Sequence, residues 1–120
     1  MINKSILKKG RNKGFNDEEI YEAYKIFFGT LVSEQRLKII NFLRKGKKSV
    51  SEIMKELRMN QTSVSHNLSR LKKCGFVKSE IKGKYRYYEL DKKTILPLMN
   101  LINKHMLSNC IHILNNKKKA

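Results

Sequence analysis

The chain has 120 residues and 14.1 kDa, with 27 Lys+Arg against 10 Asp+Glu, a formal net charge of +17 and a pI near 10.1. That length suits one small domain and leaves little room for an enzyme's substrate cleft. A hydrophobic content of 40% is too high for a disordered basic tail, no apolar run approaches the roughly 18 residues of a membrane span, and two cysteines make no disulfide framework. The expected partner is a polyanion.

Residues 1–15 carry Lys4, Lys8, Lys9, Arg11 and Lys13, contain Gly10 and Gly14, and lack a sustained period, which predicts a flexible basic arm. They show no long apolar segment or small-residue cleavage site, so a cytoplasmic protein is expected. A folded domain is expected over 16–114, with a basic tail over 115–120 that includes Lys117, Lys118 and Lys119.

Asn16-Asp17-Glu18-Glu19 has the pattern of a capping box, and Ile20, Tyr24, Phe27, Phe28 and Leu31 follow at helical spacing. Ser33 can cap a second helix with Leu37, Ile40 and Leu43 on one side, ending near Lys45-Gly46. Ser49-Val50-Ser51-Glu52 repeats the box and opens a short helix with Ile53, Met54 and Leu57 inward. Arg58-Met59-Asn60 then connects to a helix over 61–73, the signature of a helix-turn-helix. Gly75 stops that helix. Two aromatic and branched runs, 76–81 and 85–90, flank Lys82-Gly83-Lys84 and predict a β-hairpin with a cationic tip. Ile95, Leu98, Ile102, Met106, Cys110 and Ile113 form a stripe on one long terminal helix, with Thr94 as a candidate cap before Pro97. These parts make a mainly α fold with a β-hairpin wing, a winged helix-turn-helix.

Charge is concentrated where that fold would meet nucleic acid. Residues 41–90 hold 13 bases against Glu52, Glu56, Glu80 and Glu89. On the helix over 61–73, Val64, Leu68 and Leu71 fall on one face, and about 100° per residue puts Thr62, His66, Ser69 and Lys73 opposite, flanked by Ser65 and Arg70. Hydroxyls and an imidazole on an exposed helix suit base edges in the major groove. Gln61 and Ser63 stand in the first turn, where Gln61 can read adenine or hold a phosphate. Arg70 and Lys73 suit phosphates, and Lys82, Lys84 and Arg86 of the wing suit the backbone or minor groove.

The order of parts, and above all Glu34-Gln35-Arg36-Leu37-Lys38-Ile39-Ile40, Ser49-Val50-Ser51-Glu52-Ile53, Gln61-Thr62-Ser63-Val64-Ser65-His66-Asn67-Leu68 and Gly83-Lys84-Tyr85-Arg86-Tyr87-Tyr88, resembles the arsenic-repressor (ArsR/SmtB) family of transcription regulators over about residues 23–110. The resemblance implies a homodimer through the first and last helices, here Ile20, Tyr24 and Phe27 with Ile95, Leu98, Ile102, Met106, Cys110 and Ile113. It implies a repressor of a pseudo-palindromic double-stranded operator, and release controlled by a ligand that is often a metal ion.

The family's metal ligands match poorly. Its thiolate site would fall on Ser49-Val50-Ser51-Glu52-Ile53-Met54, which has neither Cys nor His. Its second site would use Asp91 and His105, but Lys93 and Ser108 stand where the other ligands should be, and Lys93 would repel a cation. No cofactor is therefore expected. Asp91, His105, Cys110 and His112 remain candidates for a differently built metal site, with His105 and His112 on one helix face but about 10 Å apart. The rival readings are a sequence-indifferent architectural DNA-binding protein and a metal-responsive repressor. A protein-interaction module fits the basic middle less well, and no nucleophile–base set or phosphate-cradling loop points to an enzyme.

Overall fold

The computed structural model describes residues 4–115. Helices α1 (Lys4–Asn12), α2 (Asp17–Val32) and α3 (Glu34–Leu43) lead into a short strand, β1 (Lys48–Ser49). Helices α4 (Val50–Leu57) and α5 (Gln61–Lys73) follow, then the hairpin β2 (Val77–Lys82) and β3 (Tyr85–Leu90), helix α6 (Ile95–Ser108) and a 3-10 turn, Cys110–His112. This is a winged helix-turn-helix.

Local chemistry sets the boundaries. Asn16 Oδ1 accepts from Glu19 N at 2.8 Å while Asn16 N donates to Glu19 Oε1 at 3.1 Å, and Asp17, Glu18 and Glu19 meet the positive end of α2. Ser49 and Glu52 repeat the exchange at the start of α4, at 3.1 and 3.0 Å. Both boxes lie where the sequence pattern places them. Gly75, at φ +78°, ends α5: its N–H reaches Lys72 O and the N–H of Phe76 reaches Leu71 O, which satisfies carbonyls the helix leaves open.

The core forms where apolar faces converge. Ile39, Ile40 and Leu43 of α3, Ile53 of α4 and Val64, Leu68 and Leu71 of α5 are buried together with Phe76, Val77, Leu90, Ile95 and Met99. Phe27 of α2 packs its ring 5.1 Å from that of Phe76. The sheet order is β1-β3-β2, all antiparallel, and the β2–β3 register runs from Val77 opposite Leu90 to Lys82 opposite Tyr85. β1 adds Lys48 opposite Tyr88 and Ser49 opposite Tyr87. Two residues are too short to show a period of two, so this strand is not visible in the sequence pattern.

Several expectations are corrected. The segment expected as a flexible arm is helical over Lys4–Asn12. Gly10 is buried where α1 crosses Ile20, so close that a Cβ would fall 2.1 Å from Ile20 Cδ1, and Arg11 holds Asp17 at 2.8 Å. The last helix is not continuous to Ile113. At Asn109, φ −129° and ψ −75°, the backbone turns, and the Asn109 side chain donates to His105 O at 3.0 Å in competition with helix continuation. Thr94 makes no side-chain cap. Instead Asp91 Oδ1 accepts from Thr94 N, Thr94 Oγ1 and Lys93 N at 2.8, 3.0 and 3.0 Å. Ile95, expected in a dimer interface, is buried inside its own chain. Lys117, Lys118 and Lys119 of the expected tail lie outside the described residues.

Candidate nucleic-acid interface

Helix α5 divides sharply between two environments. Val64, Leu68 and Leu71 are fully buried, which commits their face to the core. The remaining rotation leaves Gln61, Thr62, Ser65, His66, Ser69, Arg70 and Lys73 exposed. Asn60, read from sequence as connection, is the cap: its Oδ1 accepts from Ser63 N at 2.7 Å. Among the residues singled out on this helix, Ser63 is half-buried, and its hydroxyl donates to Gln35 Oε1 at 3.3 Å. It faces α3 rather than open solvent. Arg70 reaches α2 instead, with Nε donating to Thr30 Oγ1 at 3.3 Å.

The electrostatics around α5 are one-sided. Between Glu56 and Glu80 the chain has no acid and carries Arg58, Arg70, Lys72, Lys73 and Lys78. Helix α2, by contrast, begins with Asp17, Glu18 and Glu19. An acid-free basic stretch of this kind suits a polyanion.

The wing continues this surface. Lys82, Lys84 and Arg86 are all exposed. Arg86 shares a face of the hairpin with Ile81 and Ser79, and its guanidinium donates to Ser79 Oγ at 3.4 Å. Lys72, which the sequence reading passed over, donates to the same oxygen at 2.9 Å and ties the last turn of α5 to the wing. Lys47 is ion-paired with Glu80, which keeps the lysine protonated above its usual range and holds the carboxyl below its own. Lys82 stands 3.9 Å from the same carboxylate. Lys84 and Arg86 are thus the wing cations less compensated by acid.

A different surface lies on α2 and α6. Ile20, Tyr24, Phe27, Leu98 and Ile102 of the expected interface are half-buried, and Met106, Cys110 and Ile113 are exposed. Beside them Phe28 and Val32 on α2, and Leu101 and Leu107 on α6, are also exposed. Their signal was present as apolar residues beside the stripe, but periodicity alone assigns them no partner. Between α1 and α2 opens an apolar groove of about 990 Å³, with Ile6, Phe15, Ile20, Tyr24 and Phe27 on its walls.

Within the single chain, residues at the positions that the resemblance marks for metal are held by other contacts. Ser49 caps α4, and the Asp91 carboxylate is engaged at the entrance to α6, where the Thr94 backbone N–H chiefly holds its carboxyl below the usual range. The break at Asn109 removes the single helix face that would align His105 with His112. Among the described residues, no three His, Cys, Asp or Glu side chains gather at one point. None of those residues forms a helix long and apolar enough to cross a membrane.

Comparison with known proteins agrees with this geometry. A family model described as bacterial regulatory protein, arsR family, matches residues 33–79, which run from the cap of α3 into β2. An uncharacterised HTH-type transcriptional regulator of Methanocaldococcus jannaschii is 30% identical over 86 residues, covering 71% of this chain and 97% of that protein. The transcriptional repressor SdpR of Bacillus subtilis is 29% identical over 82 residues, 64% of this chain and 90% of the repressor. Among solved structures, a homodimeric winged helix-turn-helix DNA-binding domain from Mycobacterium bovis, described as a possible ArsR-family transcriptional regulator, superposes with a TM-score of 0.72. It is 25% identical and the match covers 77% of this chain and 85% of that domain.

Proposed function

This chain belongs to the arsR family of bacterial regulatory proteins, and on that premise we propose that it is a homodimeric repressor that binds a pseudo-palindromic double-stranded DNA operator. It is a transcriptional regulator rather than an enzyme. The observation that carries the reading is the division of α5: a fully buried apolar underside holds Thr62, Ser65, His66 and Ser69 outward in a stretch without acid. Such a stripe offers donors and acceptors to base edges, while Arg70, Lys73, Lys82, Lys84 and Arg86 hold phosphates and fix the register. Gln61 contacts the duplex at the first turn of the helix.

Dimerisation supplies the symmetry. The Cα radius of gyration is 17.1 Å, against about 14 Å for a compact chain of this length. Val32 is 79% exposed and Leu101 67% exposed, so α2 and α6 present apolar surface that a second copy would cover. Two copies related by a two-fold axis place their α5 helices in successive major grooves, about 34 Å apart on one side of the duplex. The reading needs no metal ion.

The net charge of +17 favours a second reading, a protein that coats DNA without regard to sequence. Repeated selection of bound duplexes from a random pool separates the two. A repressor enriches a motif with two symmetric halves; a coating protein enriches none.

A further inference from the structure

One residue of α5 obeys neither of its two environments. Asn67 is polar yet only 4% exposed, between Val64 and Leu68 on the inner side. A buried amide is costly unless its donors and acceptor are met. Here they are. Asn67 Nδ2 donates to Gln35 Oε1 at 3.0 Å and to Ser63 O at 2.8 Å, and Asn67 Oδ1 accepts from Arg36 Nη1 at 3.3 Å.

Arg36 carries the connection onward. Its Nε donates to Thr30 O at 2.7 Å and its Nη2 to Gly29 O at 3.3 Å, so one guanidinium spans the end of α2 and the middle of α5. Thr30 is itself fully buried and touches α5 at Arg70 Nε and the residue after that helix, Cys74, at Sγ, both at 3.3 Å. Positions 67, 70 and 74 follow each other at i, i+3 and i+7. They form a polar seam beside the apolar one at 64, 68 and 71.

The two seams do different work. Apolar burial is non-directional and tolerates a helix that turns or slides by a fraction of a residue. Hydrogen bonds tolerate much less, because their strength falls steeply as the donor angle closes. A rotation of α5 by a fraction of the 100° between residues would carry Thr62, His66 and Ser69 away from the base edges while leaving the basic surface in place.

We infer that Asn67, clasped by Gln35 and Arg36, is a positioning residue for DNA reading: it sets the rotation of α5 against the end of α2, and with it sequence discrimination. The inference rests on the reading of α5 as the recognition helix. Asn67 touches no base. Its effect passes through the residues on the opposite face.

The test measures the affinity of the full chain for an operator duplex obtained by selection, and for a random duplex of equal length, at several salt concentrations. Asn67→Ala is expected to lose about tenfold or more in operator affinity, while random-duplex affinity and its salt slope stay within about twofold of the parent protein. Arg36→Ala should lose operator affinity likewise, and the double substitution should lose no more than the worse single one, since both break one clasp. Should Asn67→Ala not fold, Gln35→Ala opens the clasp from the exposed side and carries the same expectation.

Parent-like discrimination in a folded Asn67→Ala protein overturns the inference. So does an equal fall for both duplexes, or losses that add in the double substitution. A parent protein that prefers no duplex removes the proposed function and this inference together, an outcome distinct from the other three.

Discussion

Lys72 Nζ donates to Ser79 Oγ at 2.9 Å, so the last turn of α5 and the inner face of β2 are held at one separation. Arg86 donates to the same hydroxyl at 3.4 Å from the opposite strand. One serine therefore joins the helix that would enter the major groove to the hairpin that would flank it. Ser79→Ala is expected to cost about 0.5–1 kcal/mol of stability. It should also speed amide exchange at Ile81 and Lys82, measured by native-state hydrogen exchange; unchanged exchange would mean that the core end of the hairpin alone holds the wing.

Arg58 has φ +53° and ψ +47° in the turn between α4 and α5, a left-handed conformation that is unfavourable for a side chain with a Cβ. Glycine adopts it freely but loses more chain entropy on folding. Arg58→Gly is expected to raise stability by roughly 0.5–1 kcal/mol, read as a higher melting temperature at equal protein concentration. A fall would show that the arginine side chain stabilises the turn by more than its backbone costs.

Asp91 and Glu52, together with Glu80, shape the acid response. Thr94 N–H chiefly holds the Asp91 carboxyl below its ordinary range, and the Ser49 N–H does the same for Glu52. A folded-state pKa below the unfolded one means stabilisation that is present above the ordinary carboxylate pKa and lost as pH falls through the depressed value. Asp91→Asn should therefore lower the melting temperature at neutral pH, and the gap to the parent protein should close on acidification below the folded pKa. A gap independent of pH would show that shape rather than charge decides at the start of α6.

Met106 is exposed on α6 in the apolar surface assigned to the second copy. Met106→Glu would bury a charge in that interface, so the dimer should dissociate at micromolar concentration with helix content kept. Sedimentation shows this directly. A dimer of unchanged affinity would move the interface elsewhere.

Much of this architecture is legible in the sequence, for identifiable reasons. Asn16 with Glu19, and Ser49 with Glu52, announce helix starts because capping needs particular side chains three residues apart. Val64, Leu68 and Leu71 reveal which way α5 faces, and Gly75 shows where it must end. Other features depend on partners distant in sequence. Helix α1 exists because Gly10 permits close approach to Ile20 and Arg11 meets Asp17, contacts that no period inside residues 4–12 expresses. Strand β1 has two residues and owes its form to Tyr87 and Tyr88. Ile95 has the same apolar character as Ile102, and only packing decides that the first belongs to the core. Asn67 is the clearest case. On hydropathy alone it reads as a surface residue, and its burial follows from Gln35 and Arg36, some thirty positions earlier.

The wing and the helix differ in what they can read. Lys84→Ala removes a cation from the hairpin turn without touching α5, so it should weaken operator and random duplexes alike and lower the salt slope by about one ion. Titration at several salt concentrations measures both quantities. Loss confined to the operator would give the wing a reading role instead.

His66 decides the central question most directly, because it is exposed and stands in the middle of the outward stripe. The ratio of operator to random-duplex affinity should fall by roughly 5- to 150-fold in His66→Ala at fixed salt, the loss of one good base contact. If that ratio is unchanged while the protein stays folded and dimeric, bases are not read from this face of α5, and the account is contradicted.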